Sequence, residues 1–345
     1  MHVSFLPYLV DPATQEPLQL AVEKREGDII LEGTLYSSSH RYPIVRGIPR
    51  FAGYNESANY ARSFGYQWQK WSRVQFESEN RGRHMEGHTL RMWERITGIE
   101  TQDLHGAVIA DFGCGPGRFI EIVRMKNGKA IGLDLSEAVE AAAENFQGDP
   151  NVLICQADVL NPPIRTRSVD GAFSIGVFHH TPDPAGGFAA MARTVRPGGW
   201  TAVCVYGKGG YYDFPTVTLY RKLFKLLWPI CKHYAPLIYA HLTVYLLSPI
   251  ARIPLVGKLV KGFFPFICLP DVRWSILDTF DSVTPSYQSA HEAYEVFQWL
   301  KTNGLVEIET SNWGFATYNG RIPECEVAVV PCAEQTATAA RAGAR

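Results

Sequence analysis

The sequence predicts an α/β protein built on a mostly parallel sheet with helices on both faces. Three observations carry that reading. From residue 107 onward, short apolar runs alternate with amphipathic stretches, the pattern of strands separated by crossover helices. A glycine-rich turn, "GCGPG" at 113–117, directly follows the first of those runs. Acids, Asp134 and Asp158, then stand at the ends of the next two strands, where open α/β sheets bind their ligands.

Each element has its own local justification. "AVIADF" reads as a buried strand and "RFIEIVRMKNG" as a helix stopped by Gly128. "KAIGLDL" is a second strand, and "SEAVEAAAENF" a helix with Ser136 as candidate N-cap. "NVLICQADV", "VDGAFSIGVFHH", a helix in "GGFAAMARTV", the turn "RPGG" and the strand "WTAVCVYG" follow. Near the end, Ser289 and Glu292 have capping-box spacing ahead of "AYEVFQWLKTNG", and "LVEIETSN" and "CEVAVVP" supply two last strands. The tail "AEQTATAARAGAR" has too few large apolar groups to pack and is expected to be disordered.

Other textures flank this core. Residues 1–50 form a small β-rich module, in which "DIILEGTLY" is strand-like and "RYPIVRGIPRF" is an extended piece with a turn. Residues 51–104 are helical, with "SFGYQWQKWSRVQF" aromatic and amphipathic. The α/β core runs over 105–210 and resumes at 276–332, before the tail at 333–345. Between the two parts, 211–275 is an apolar insertion broken by prolines, expected to be a lid of short packed helices. Its stretch 233–250 lacks any Asp, Glu, Lys or Arg, but two histidines and the prolines speak against a membrane span. From 211 to 270 there are seven Lys or Arg and one acid, Asp213. That excess is either a solvated helix face or a basic apolar cap that meets an acidic substrate or a membrane surface.

Composition narrows the function classes. With 33 basic and 34 acidic side chains among 345 residues, the chain has no global attraction for polyanions, and no nucleic-acid partner is expected. The seven cysteines are scattered and odd in number, without metal-ligand spacing, which suits a reducing, cytoplasmic compartment. No secretion signal is read at "MHVSFLPYLV".

The glycine loop departs from two nucleotide motifs. A dinucleotide fingerprint would place a third glycine or alanine at 118, where this chain has Arg118 after Gly117. No Gly-Lys-Ser/Thr follows, which excludes a Walker loop. Asp134 can accept both hydroxyls of a ribose; Asp158 can accept from an adenine amino group or serve as a helix cap.

In that order, "VIADFGCGPGRF", "IGLDLS", "CQADVLNPP", "VDGAFSIGVFHHTPDP" and "RPGGW" resemble the class I S-adenosylmethionine-dependent methyltransferases, in particular their small-molecule branch. The resemblance covers 105–207 well and implies a Rossmann-like seven-stranded sheet whose last strand is antiparallel. It implies S-adenosyl-L-methionine as cofactor and S-adenosyl-L-homocysteine as product. Asp111, Gly113, Cys114, Gly115 and Gly117 would cradle the methionine portion, Asp134 and Leu135 the ribose, Asp158 and Val159 the adenine, and Phe178 would line the acceptor side. "GTLYSSSHRYPIVRGIPRF" resembles half of the zinc-ribbon-like methyltransferase activator domain. Its cysteines are missing, with Tyr36 and Ser39 roughly where a pair would stand, so no metal is expected and the module must hold by packing.

Methyl transfer needs alignment first, and a base only if the acceptor keeps its proton. His179 and His180 are the candidate bases, with fold-stabilising roles as the alternative. Tyr66 and Trp68 would wall the cationic methyl group or belong to the core. Asp278, Asp281, Tyr287 and Gln288 are candidate acceptor-binding residues, with Asp278 and Tyr287 preferred. The expected activity is methylation of a small, partly apolar or aromatic metabolite at O, N or C, as in natural-product biosynthesis. An RNA or protein methyltransferase and a non-catalytic S-adenosylmethionine-binding protein are the alternatives. Monomer and homodimer are both left open.

Overall fold

The computed structural model describes residues 1–52, 62–100, 102–311, 313 and 316–324. The N-terminal module is an antiparallel meander of β1 (Gln19–Glu26), β2 (Ile29–Tyr36), β3 (Arg41–Val45) and β4 (Ile48–Pro49). Helices α1 (Arg62–Lys70), α2 (Glu77–Asn80) and α3 (His88–Thr97) lead into the main sheet. There β5 (Val108–Phe112), α4 (Arg118–Met125), β6 (Lys129–Asp134), α5 (Ala138–Asn145), β7 (Val152–Gln156), β8 (Val169–Ile175), α6 (Pro184–Thr194) and β9 (Val195–Val205) follow in turn. Four helices come next: α7 (Pro215–Cys231), α8 (Tyr234–Ala251), α9 (Val256–Phe263) and α10 (Val272–Val283). Finally α11 (Ala293–Thr302), β10 (Val306–Thr310) and β11 (Ala316–Arg321) complete the described chain.

The main sheet has seven strands in the order β10-β11-β9-β8-β5-β6-β7. Strands β7, β6, β5, β8 and β9 are parallel, while β11 pairs antiparallel with both β9 and β10. Every residue of β5 and β7 is buried, as expected for strands covered on both faces. Alternation divides their side chains between two clusters. Ala110, Phe112, Ile131 and Leu133 join one cluster with α6 and α11, whereas Ile109, Ala130 and Ile154 join the other with α3 and α4.

The N-terminal module shares the first of these clusters. Met1, Phe5, Leu9, Leu35 and Ile44 pack with Phe112 and Leu133 rather than around a core of their own. A carboxylate closes the module's polar end. Asp11, inaccessible to solvent, accepts from Ser37 Oγ at 2.5 Å, His40 Nδ1 at 2.8 Å, Tyr42 OH at 2.9 Å and the Ala13 amide at 2.8 Å. Burial alone would raise its pKa, but those donors outweigh it and hold the carboxyl well below the usual range. Among the described residues, no group of three or more His, Cys, Asp or Glu side chains could hold a metal ion.

Two local expectations are corrected and one is not reached. Among the described residues the last strand is Ala316–Arg321, held by pairing with β9; the segment 325–331, expected as a strand, and the tail at 333–345 lie outside the described residues. Ser289 and Glu292 form no capping box: Glu292 occupies the N-cap of α11 without a side-chain bond, and Ser289 Oγ turns to the His179 carbonyl at 3.1 Å. The turn "RPGG" lies within β9, and α10 runs through the expected boundary at 275/276.

Candidate functional site

The backbone of the glycine loop prepares the site. It leaves β5 under two hydrogen bonds from the Gly113 and Cys114 amides to the Leu133 carbonyl of β6, at 2.7 and 2.9 Å. Gly113 has φ +88° and Gly115 φ +54°, conformations that favour glycine. A Cβ on Gly113 would stand 2.3 Å from Val177, and one on Gly115 would stand 3.1 Å from the Trp68 indole nitrogen. Asp134, ending β6, braces the loop: one oxygen accepts from the Gly115 amide at 2.9 Å, the other from Ser136 N and Oγ at 2.8 and 2.6 Å. Burial raises the Asp134 pKa against those hydrogen bonds.

A cavity of about 470 Å³ opens over this loop, at the carboxyl ends of β5, β6, β8 and β9, within the range of small-ligand sites. Gly113, Cys114, Gly115, Asp134, Leu135 and Val159 form its floor. Its roof is aromatic and comes from distant segments: Phe64 and Trp68 of α1, Tyr206, Tyr212, and Trp274 of α10. Two acids of α10, Asp278 and Asp281, share one helix face at i, i+3 and also border the cavity.

Asp278 accepts from Gln75 Nε2 at 3.2 Å, and the same amide accepts Arg118 Nη1 at 2.5 Å, so the guanidinium reaches the carboxylate through a glutamine. Asp281 accepts from Gln67 Nε2 at 3.0 Å. Burial pushes Asp278 up to about 7, with the neighbouring Asp281 adding to the shift and Arg118 opposing it. Burial likewise raises Asp281 to about 6 against the Gln67 hydrogen bond.

The two histidines have different surroundings. His180 borders the cavity; its Nδ1 lies 2.9 Å from the Tyr287 carbonyl and must donate there, so Nε2 carries the lone pair. Burial lowers its pKa to about 4. His179 is fully buried outside the cavity lining, its Nδ1 accepting from the Tyr206 amide at 3.3 Å and its ring stacked on Tyr206 at 3.6 Å. Burial drives its pKa well below the usual value.

Other residues singled out in the sequence lie away from the cavity surface. Asp111 is buried behind the loop, with Oδ2 lacking a hydrogen-bond partner among the described residues, and burial raises its pKa well above the usual value. Gly117 sits at the start of α4 against Phe146. Asp158 accepts from the Leu160 amide at 2.9 Å, the local-cap arrangement. Phe178 belongs to the core beside α6, and Tyr66 stacks on His233 at 3.9 Å beneath the lid. Tyr287 is exposed and contributes its carbonyl to His180. Asp281, which the sequence offered behind Asp278 and Tyr287, borders the cavity, whereas Gln75 and Arg118 were not read from the sequence as cavity residues. The i, i+3 spacing of the two acids in "SILDTFDSV", which contains no other charged residue, is the sequence signal for the pair.

Residues 110–203 match the family described as methyltransferase domain. Over 119 residues the chain is 29% identical to a probable tRNA methyltransferase 9B of Mus musculus, covering 34% of this chain and 25% of the relative. Over 98 residues it is 35% identical to an uncharacterized 37.1 kDa protein in a Streptomyces fradiae transposon, covering 27% of this chain and 28% of the relative. A tRNA U34 carboxymethyltransferase of Methylococcus capsulatus is 32% identical over 111 residues, 31% of this chain and 34% of that protein. Among solved structures, the complex of the Haloferax volcanii Trm112 methyltransferase activator with a methyltransferase is similar at 16% identity and TM-score 0.44, over 75% of this chain and 97% of that one. The chain spans only about a quarter of the length of the first two of these relatives. The fold is that of the class I S-adenosylmethionine-dependent methyltransferases, a Rossmann-like seven-stranded sheet with helical insertions and a separate four-stranded N-terminal sheet. The tRNA methyltransferases among the relatives overturn the expectation of no nucleic-acid partner.

Proposed function

We propose that the protein transfers the methyl group of S-adenosylmethionine to an RNA acceptor, a transfer RNA in first place. The observation that carries the donor is the cavity floor: a glycine loop without room for side chains, braced by an acid at the end of the next strand. The buried residues fit that donor. Asp134, which borders the cavity, offers oxygens for ribose hydroxyls, while Asp111 stands behind the loop. When bound, the donor supplies a sulfonium methyl group for in-line displacement. The chain's own residues position the acceptor and take its proton. The names of the tRNA methyltransferases support the acceptor class, and the aromatic roof suits a base taken out of its stack.

Asp278 is better matched than His180 to act as base. A carboxyl raised to about 7 is half ionised near neutral pH, whereas an imidazole lowered to about 4 is a weak proton acceptor there. His180, fixed through the Tyr287 carbonyl, orients the acceptor with Nε2. We also read the N-terminal module as a metal-free counterpart of the activator's ribbon, with Asp11 gathering loops that thiolates would otherwise gather.

A second reading keeps a small, partly apolar metabolite as acceptor, favoured by the cavity's largely aromatic and aliphatic wall. Incubation with methyl-labelled S-adenosylmethionine, bulk tRNA and a small-molecule extract separates the readings. Label in digested tRNA nucleosides supports the first, and label confined to small molecules replaces it with the second. Binding of the donor with no label transferred would leave a non-catalytic binding protein.

A further inference from the structure

We propose that the outer face of α7, α8 and α9 is a docking surface for an anionic lipid membrane, on which the protein lies without crossing it. The inner sides of α7 and α8 pack on α10, and α9 packs on α8, so their other sides face away from the core. On α7, Leu219, Leu223, Leu226 and Ile230 form one exposed stripe at helical spacing. Tyr234, Ile238, Leu242, Tyr245 and Leu246 form another on α8, and Leu255, Leu259 and Phe263 continue it around α9. These side chains are far out in solvent: Leu226 is 76% exposed, Ile230 82% and Leu255 75%. Patches of that kind mark interaction sites rather than ordinary surface.

Charge identifies the occupant. Lys222, Lys225, Lys232, Arg252, Lys258 and Lys261 are exposed around the stripes, and the sequence from 214 to 270 contains no Asp or Glu. None of the six forms an ion pair among the described residues. A cleft of about 470 Å³ between α9 and the turn at Tyr211–Asp213 places Lys258 and Lys261 beside Phe266 and Ile267, cation next to apolar wall. Anionic lipids have that same amphiphilic order, a charged head above an apolar chain. A second copy of the chain would bring like charges together. RNA would meet aliphatic side chains where nucleic-acid interfaces are polar. Helix α8 is long and apolar enough to cross a membrane by length and composition alone. Its packing on α7, α9 and α10 instead ties one side to protein, which fits a helix lying in the interface.

The test is flotation of the full chain with vesicles of phosphatidylcholine mixed with phosphatidylglycerol, beside vesicles of phosphatidylcholine alone. The expected result is at least a tenfold preference for the mixed vesicles, weakened by added salt. The combined variant Leu226→Glu, Ile230→Glu, Leu246→Glu should lose flotation while keeping S-adenosylhomocysteine binding, which shows that it folds. Lys258→Glu with Lys261→Glu should erase the preference for the anionic lipid. Three results would overturn the proposal: no flotation with mixed vesicles at low salt; tRNA binding abolished by the Leu226, Ile230 and Leu246 variant without any vesicle binding; or a dimer in ultracentrifugation that this variant dissolves, again without vesicle binding. Donor binding and methyl transfer are measured separately, so failure here leaves the proposed reaction untouched.

Discussion

Asp11 in the N-terminal module and Asp278 with Asp281 in the cavity show two ways of keeping a carboxylate out of bulk water. Around Asp11, two hydroxyls, an imidazole and two backbone amides donate to the two oxygens, and the ionised form is favoured. Around Asp278 and Asp281, each carboxylate accepts from one glutamine amide, Tyr206 adds a hydrogen bond to Asp281, a like charge lies one helical turn away, and the arginine stands at one remove. There burial shifts both acids toward the neutral form. The first site spends its hydrogen-bonding capacity on the fold. The second keeps capacity for something that enters the cavity, and such imbalance is how active sites tune acids and bases.

The sharpest way to break this contrast is at Asp278. Asp278→Asn should lower kcat by about 10²–10⁴-fold, the range for loss of a general base. The same change should raise thermal stability at pH 8 by on the order of 2 kcal/mol, a figure reduced for water in the cavity. The sign follows from the shift. A carboxyl raised from 3.8 to about 7 binds its proton more tightly when folded, so its contribution to stability falls as pH rises between those values. The stabilising effect should therefore be absent at pH 3.5, and wild-type kcat should rise with pH through about 7. Unchanged kcat in the variant would remove Asp278 from the reaction.

Next in size is Asp11→Ala, which leaves Ser37, His40 and Tyr42 without their acceptor and should cost about 3 kcal/mol. Denaturant unfolding measures the loss; kcat per folded molecule should stay at the wild-type level. For wild type, the Asp11 contribution is present above pH 4 and lost on acidification below it, because its pKa is depressed. A fall in kcat to match the Asp278 variant would erase the distinction between the two sites. Smallest is Asp281→Asn. Removing the charge beside Asp278 should move the acid limb of the pH–rate profile to lower pH by less than about one unit, with kcat changed only a few-fold. A shift to higher pH would contradict the electrostatic account.

The sheet was legible because buried parallel strands are continuous apolar runs, and "VIADF", "KAIGLD" and "VLICQ" are such runs. β11 was not: "ATYNGR" contains Asn and Gly, and its strand state comes from pairing with β9. At the site, the loop and Asp134 were readable because backbone conformation and strand ends leave local marks. The relay from Arg118 through Gln75 to Asp278 was hidden, since its last bond joins residues 203 positions apart. Arg118 stood out in the sequence only as the residue that breaks a dinucleotide motif. The same distance problem concealed the Asp11 hub, whose side-chain partners lie 26 to 31 residues away.

Calorimetric titration of S-adenosylhomocysteine into wild type, into Gly113→Val and in the presence of NAD tests the central claim most directly. The account predicts saturable binding to wild type, undisturbed by NAD, and loss of at least a hundredfold in affinity for Gly113→Val, whose new side chain would collide with Val177. Absence of binding to wild type, or displacement of S-adenosylhomocysteine by NAD, would contradict it.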